Sequence, residues 1–131
     1  MPSIFIKIIN REIPSNIIAE SEDCLAFLDV FPLAKGHTLV VPKKEVDYIF
    51  DIDDELLAKM MAFSKRVAKA IELSVTCQRI GIAVIGLEVP HAHIHLIPLQ
   101  SVEDINFSRP KLKFSEEEMK AIAEKIRSNL R

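Results

Sequence analysis

The feature that most limits what this chain can fold into is a row of three histidines at strict alternation. His91, His93 and His95 stand within Val89-Pro90-His91-Ala92-His93-Ile94-His95-Leu96-Ile97-Pro98. In an extended chain successive side chains point to opposite faces. The spacing predicts a strand running to Ile97 with three imidazoles on one face and Ala92, Ile94 and Leu96 in the core behind it. Each ring carries two nitrogens that need partners when buried, so three in a row are costly unless they act together. Three readings fit the row. It can be a structural set of hydrogen-bonded histidines, or a metal site, since zinc accepts several imidazoles plus a water. It can also be a nucleophilic centre, in which one ring nitrogen attacks an electrophile while a hydrogen bond holds the other. His37, after Gly36, adds a fourth imidazole at the start of another expected strand.

The rest of the chain supplies the scaffold. Ser3 is placed to cap a short helix over Ile4 to Asn10, with Ile4, Phe5, Ile8 and Ile9 as its apolar stripe and Pro14 as its stop. Ile17 to Glu20 and Cys24 to Asp29 read as a hairpin around Ser21-Glu22-Asp23. After the loop Phe31 to Gly36, His37 to Val41 reads as a strand closed by Pro42. Leu56, Met60, Phe63, Val67 and Ile71 share one helical face, and Asp53, Asp54 and Glu55 charge the start of that helix favourably, predicting Asp53 to Ser74. Arg79 to Ile85 reads as a strand buried on both faces. Gly86-Leu87-Glu88 is a tight link that makes it antiparallel to the histidine strand. Ser101 to Lys113 lacks a period and reads as an extended excursion. Ser115 and Glu118 form a capping box for a last helix, about 115–130, that buries Met119, Ile122, Ile126 and Leu130. The expected architecture is one α+β domain over residues 1–131, a mostly antiparallel sheet with one long helix, a short N-terminal helix and a C-terminal helix.

Charge and composition exclude several classes of role. A formal net charge of −2 gives no electrostatic basis for nucleic acid or a membrane surface as primary partner. No apolar run reaches the roughly 18 residues that span a bilayer. Lys7, Arg11 and Glu12 do not fit a secretory leader. Cys24 and Cys77 stand alone and read as ordinary thiols in a reducing cytoplasm.

His91-Ala92-His93-Ile94-His95-Leu96-Ile97 resembles the alternating signature of the histidine triad superfamily. Ile4 to Ile9 with Glu12-Ile13-Pro14, Leu25 to Val30, and Gly36 to Lys43 resemble successive segments of its nucleotide-binding branch. The resemblance implies a homodimeric nucleotide hydrolase or nucleotidyl transferase, needing no cofactor, that cleaves at the α-phosphate of a purine nucleotide conjugate such as a phosphoramidate. His93 matches the nucleophile, which forms a covalent nucleotidyl-histidine intermediate. His91 and His95 match the orienting and polarising histidines, and His37 a histidine near the phosphate and leaving group. Asp29 matches the acid that binds the ribose hydroxyls, and Phe5, Ile8, Phe27, Leu28 and Val30 the apolar slot for the base. Gly86 matches a glycine whose backbone approaches the phosphate.

The chain departs from the family twice. Several bacterial relatives hold a structural zinc, whose ligand positions here carry Ser3, Ile6 and Glu45, so no metal is expected. Where relatives place neutral hydrogen-bond donors ahead of the triad, this chain has Leu87 and Glu88. Glu88 either turns away, is protonated, or meets an amine leaving group. A nucleotide- or partner-binding module with weak or no catalysis is the alternative reading, and a metal-dependent hydrolase the third.

Overall fold

The computed structural model describes residues 2–131. Met1, the first residue of the expected 1–131 domain, lies outside the described residues. The elements run α1 (Ile4–Ile9), β1 (Ile17–Glu20), β2 (Cys24–Leu28), β3 (Thr38–Pro42), α2 (Asp54–Ser74), β4 (Arg79–Ala83), β5 (Ile94–Leu99) and α3 (Glu116–Ser128), with two short 3-10 turns at Ile49–Asp51 and Val102–Ile105. All strand pairs are antiparallel, in the order β1-β2-β3-β5-β4. This is the expected α+β arrangement.

Alternation along the central strands divides the interior into two cores. Cys24, Ala26 and Leu28 of β2, Val40 of β3, and Ala92, Ile94 and Leu96 face α2 and α3, meeting Met60, Phe63, Val67, Ile71, Ile122 and Ile126. Leu25, Phe27, Leu39 and Val41 face the other way and are covered by Phe5 and Ile8 of α1. The caps foreseen at Ser3 and Ser115 form, and Asp53, expected only to bring favourable charge, also caps α2. Asp53 Oδ1 accepts from Leu56 N–H at 2.9 Å, and Ser115 and Glu118 close a reciprocal box at the start of α3. Each such cap contributes about 1 kcal/mol.

Three expectations are corrected. The strand over Arg79 to Ile85 is not buried on both faces. It ends at Ala83 and lies at the sheet edge, with Ile82 51% exposed. The link that follows is a ten-residue segment, 84–93, rather than three residues, so regular pairing of the histidine strand begins only at Ile94. Ile4 is exposed rather than part of the buried stripe of α1. The aperiodic stretch from Ser101 contains a 3-10 turn with its own Ser101–Asp104 capping box, then returns along the sheet until Leu112 N–H meets the Pro32 carbonyl at 2.8 Å. Both cysteines are free thiols, Cys24 buried and Cys77 half-buried.

Candidate active site

The histidines gather on the α1 side of the sheet, although only His95 belongs to a strand. His91 and His93 precede β5, yet the alternation persists, with Ala92 in the core behind. His37, His91, His93 and His95 are all buried, at 1%, 0%, 7% and 7% exposure. Their proton positions follow from partners that can play one role only. Leu33 N–H donates to His37 Nδ1 at 3.0 Å, so the His37 proton sits on Nε2. That Nε2–H donates to His95 Nδ1 at 2.9 Å, with Asp29 Oδ2 at 3.5 Å beside it. The proton of His95 therefore sits on Nε2. His91 Nε2–H donates to the Pro42 carbonyl at 2.8 Å, leaving His91 Nδ1 to accept from the Ser3 hydroxyl at 2.8 Å. His93 Nδ1–H donates to the His91 carbonyl at 2.8 Å.

Two groups are left over. His93 Nε2 presents a lone pair, and His95 Nε2 presents an N–H. Neither has a partner among the described residues, and neither is sealed from solvent. The two rings are 4.9 Å apart. A nucleophilic nitrogen thus stands beside a hydrogen-bond donor, which is what attack at a phosphoryl group requires.

Burial keeps the surrounding rings neutral. It lowers the pKa of His37 to about 3, helped by His95 and Lys111. It lowers that of His95 to about 4, helped by His93. It lowers that of His91 against the opposing pull of the Pro42 carbonyl and Glu45. Asp29 moves the other way. Burial raises its pKa, while the Phe31 N–H bonded to Oδ1 at 2.9 Å and the electrostatic pull of His93 and Lys111 draw it back.

The other expected residues divide. Phe5 packs edge-on against His91, His93 and Phe27, with centroids 5.7, 5.0 and 5.5 Å away. Ile8 lies in the same small core, and Val30 is exposed just beyond Asp29. Leu28 is elsewhere. Its parity on β2 turns it to the α2–α3 side, at 2% exposure, so it cannot line a slot that Phe27 lines. His37 is enclosed with both ring nitrogens engaged inside the protein, so it meets the cleft only through His95. Gly86 adopts a left-handed φ of +71° in the segment ahead of the triad, where Glu88 is exposed and raises the Asp29 pKa electrostatically. Three participants were not foreseen. Phe107 packs against His95 at 4.8 Å, Lys111 acts on Asp29 and His37, and Ser3 bonds His91. A lone aromatic in an aperiodic stretch was the only available sign of the first.

Asp29, His37 and His95 also bring three metal-type donors within 4.8 Å of one another. They do not fit zinc as they stand. His37 Nε2 carries a proton, and it lies 2.9 Å from His95 Nδ1, whereas two nitrogens on a tetrahedral zinc stand about 3.4 Å apart. The positions that the family resemblance assigns to a structural zinc fit no better. Ile6 offers no donor atom, and Ser3, Glu45 and His91 are joined directly by hydrogen bonds.

Comparisons with known proteins bear on the family and the fold. The HIT domain model matches residues 10–102. Adenosine 5'-monophosphoramidase hnt1 of Schizosaccharomyces pombe is 37% identical, with all of both chains covered. A Hit-like protein involved in cell-cycle regulation from Bartonella henselae superposes with a TM-score of 0.85 at 32% identity, over 98% of this chain and 96% of that one. A zinc-bound histidine triad family protein from Mycobacterium smegmatis superposes with a TM-score of 0.80 at 26% identity, over 96% and 91%.

Proposed function

This chain belongs to the HIT family, and on that premise we propose that it cleaves purine nucleotide conjugates at the α-phosphate, as a hydrolase or nucleotidyl transferase, with His93 as nucleophile. The observation that carries the reading is the 2.8 Å bond from His93 Nδ1–H to the His91 carbonyl, which fixes the lone pair on Nε2. The name of the fission-yeast relative supports a phosphoramidate as substrate class.

His93 Nε2 attacks phosphorus, and the bond to the leaving group breaks. The leaving group keeps the bonding pair and takes a proton from solvent. The nucleotidyl-imidazolium is held by the His91 carbonyl through Nδ1–H, while His95 Nε2–H donates to the phosphoryl oxygen. Water then adds at phosphorus, the P–N bond breaks with its pair returning to His93, and the water's proton passes to solvent. Asp29 accepts from the ribose hydroxyls, with Oδ1 held by Phe31 N–H and Oδ2 standing 3.5 Å from His37 Nε2. Phe5, Ile8 and Phe27 offer narrow edges, and Val30 a broader one, to the base. Gly86 borders the phosphate. No step needs a metal.

The partner surface is part of the proposal. Strand β4 leaves its outer edge unpaired, and Tyr48, Phe50, Met61, Val84 and Ile85 are exposed around a hollow of about 460 Å³ that also reaches Ile82 and His93. None of Phe5, Ile8, Phe27 or Asp29 lines that hollow, so it suits a second copy better than a base. An unpaired strand beside an apolar patch is the usual requirement for sheet-to-sheet pairing.

The test is turnover of an adenosine phosphoramidate to the monophosphate by wild type and by His93→Ala. The variant is expected to lose at least about a thousandfold in kcat/KM. Full activity in the variant removes the nucleophile. Tight monophosphate binding with no turnover of any conjugate selects the binding-module reading instead, which Leu87 and Glu88, lacking a neutral donor, would explain.

A further inference from the structure

Regular sheet pairing begins at Ile94, one residue after the proposed nucleophile, so the β ladder does not hold His93 in place. What does hold the 91–93 segment is a set of bonds reaching it from two distant parts of the chain. The Pro42 carbonyl takes His91 Nε2–H, and the Val46 carbonyl takes Ala92 N–H at 2.7 Å. Between them, Glu45 Oε2 accepts the Ser3 N–H at 2.7 Å. Ser3 completes the ring. Its hydroxyl oxygen accepts from Ile6 N–H at 3.2 Å as the cap of α1, and its hydroxyl proton goes to His91 Nδ1 at 2.8 Å.

We propose that Ser3, anchored by Glu45, is a positioning residue for His93: its hydroxyl locks the His91 ring, whose own carbonyl orients the nucleophile. A capping serine needs only its oxygen for the helix, so the proton is free for a second task, and here it is spent on a histidine 88 positions away. With both ring nitrogens tied, His91 cannot turn without leaving buried polar groups unpaired, which costs about 1–3 kcal/mol each. The peptide between His91 and Ala92 is held at both ends, by His93 Nδ1–H on its carbonyl and by Val46 on its N–H. Hydrogen bonds thus form a clamp from the start of α1 to the nucleophile. The inference rests on His93 being that nucleophile.

The test uses Ser3→Gly, because glycine caps nearly as well as serine but offers no hydroxyl, together with Ser3→Thr, which restores one. Two readouts are needed. The first is the split of kcat and KM on an adenosine phosphoramidate. The second is the nitrogen-resolved proton NMR signal of His93 Nδ1–H, which needs no substrate. Ser3→Gly is expected to lower kcat about tenfold with KM within about twofold, and to lose the Nδ1–H signal to solvent exchange. Ser3→Thr should recover both. A role confined to helix stability would instead lower Tm, move KM with kcat and leave the signal in place, and that result overturns the proposal. So does a threonine variant no better than glycine. If wild type turns over nothing, the catalytic reading of His93 falls, and the signal alone decides whether Ser3 orients that ring.

Discussion

Mild acid should destabilise this protein well before its ordinary carboxylates titrate. In the folded chain the pKa of His37 is lowered to about 3 and that of His95 to about 4, in both cases first by burial. In the unfolded chain both return to about 6.5. Below that value the unfolded state takes up two protons that the folded state refuses. Their contribution to stability is therefore complete above about pH 6.5 and is lost as pH falls toward the folded values. The slope is about 1.36 kcal/mol per pH unit per proton, or about 2 kcal/mol for each ring by pH 5. The pair then costs about 4 kcal/mol, a large share of a typical stability of about 5–15 kcal/mol. His91, also lowered by burial, adds to the loss. Asp29 opposes it, because burial raises its carboxyl and the folded state keeps that proton longer. Urea unfolding at about pH 7.5 and pH 5 measures the difference. His37→Gln should flatten the slope by about one proton. Equal stability of wild type at the two pH values, or an undiminished slope in His37→Gln, would refute the neutral relay.

Glu88→Gln removes an exposed charge that acts on Asp29, and should raise kcat/KM for anionic leaving groups relative to amines by about three- to tenfold; unchanged ratios across both kinds show that Glu88 turns away. Val84→Glu places a charge on the apolar surface beside β4, and sedimentation should show a shift from dimer to monomer, whereas a monomeric wild type at micromolar concentration removes the proposed pairing. Since no step in the proposed reaction uses a metal, prolonged treatment with a strong chelator should leave turnover within about twofold, and loss restored by added zinc would reverse that reading. Ser115→Ala, which breaks the reciprocal box of α3, should cost about 1 kcal/mol, read as a lowered urea midpoint.

Much of the site was legible because alternation and helical spacing are local geometry. A two-residue period places Ala92, Ile94 and Leu96 opposite the histidines whatever they meet. The same rule, applied along β2, separates Leu28 from Phe27, which matching both to the family's apolar slot overlooked. The spacing of Leu56 through Ile71, the charge at Asp53 to Glu55 and the capping box at Ser115 work within one or two turns, and so they too could be read directly. Strand burial was less accessible. Arg79 to Ile85 has the composition of an interior strand, but its neighbours are set by sheet order, and β4 falls at the edge.

The sequence by itself determined that three histidines share a face and that an aspartate and a fourth histidine accompany them in family order. It could not determine which nitrogen of any ring holds the proton. That depends on the Leu33 N–H and the His91 carbonyl, near neighbours whose aim is set by irregular turns that no periodicity describes, and on the Pro42 carbonyl and the His37–His95 bond, which reach across 49 and 58 positions once the strands have come together. Nor could it distinguish Ser3 as a helix cap from Ser3 as a partner of His91, because a hydroxyl does both and only the approach of α1 to the 91–93 segment supplies the second acceptor. Local periodicity chose the residues, and the folded backbone around them assigned their protons.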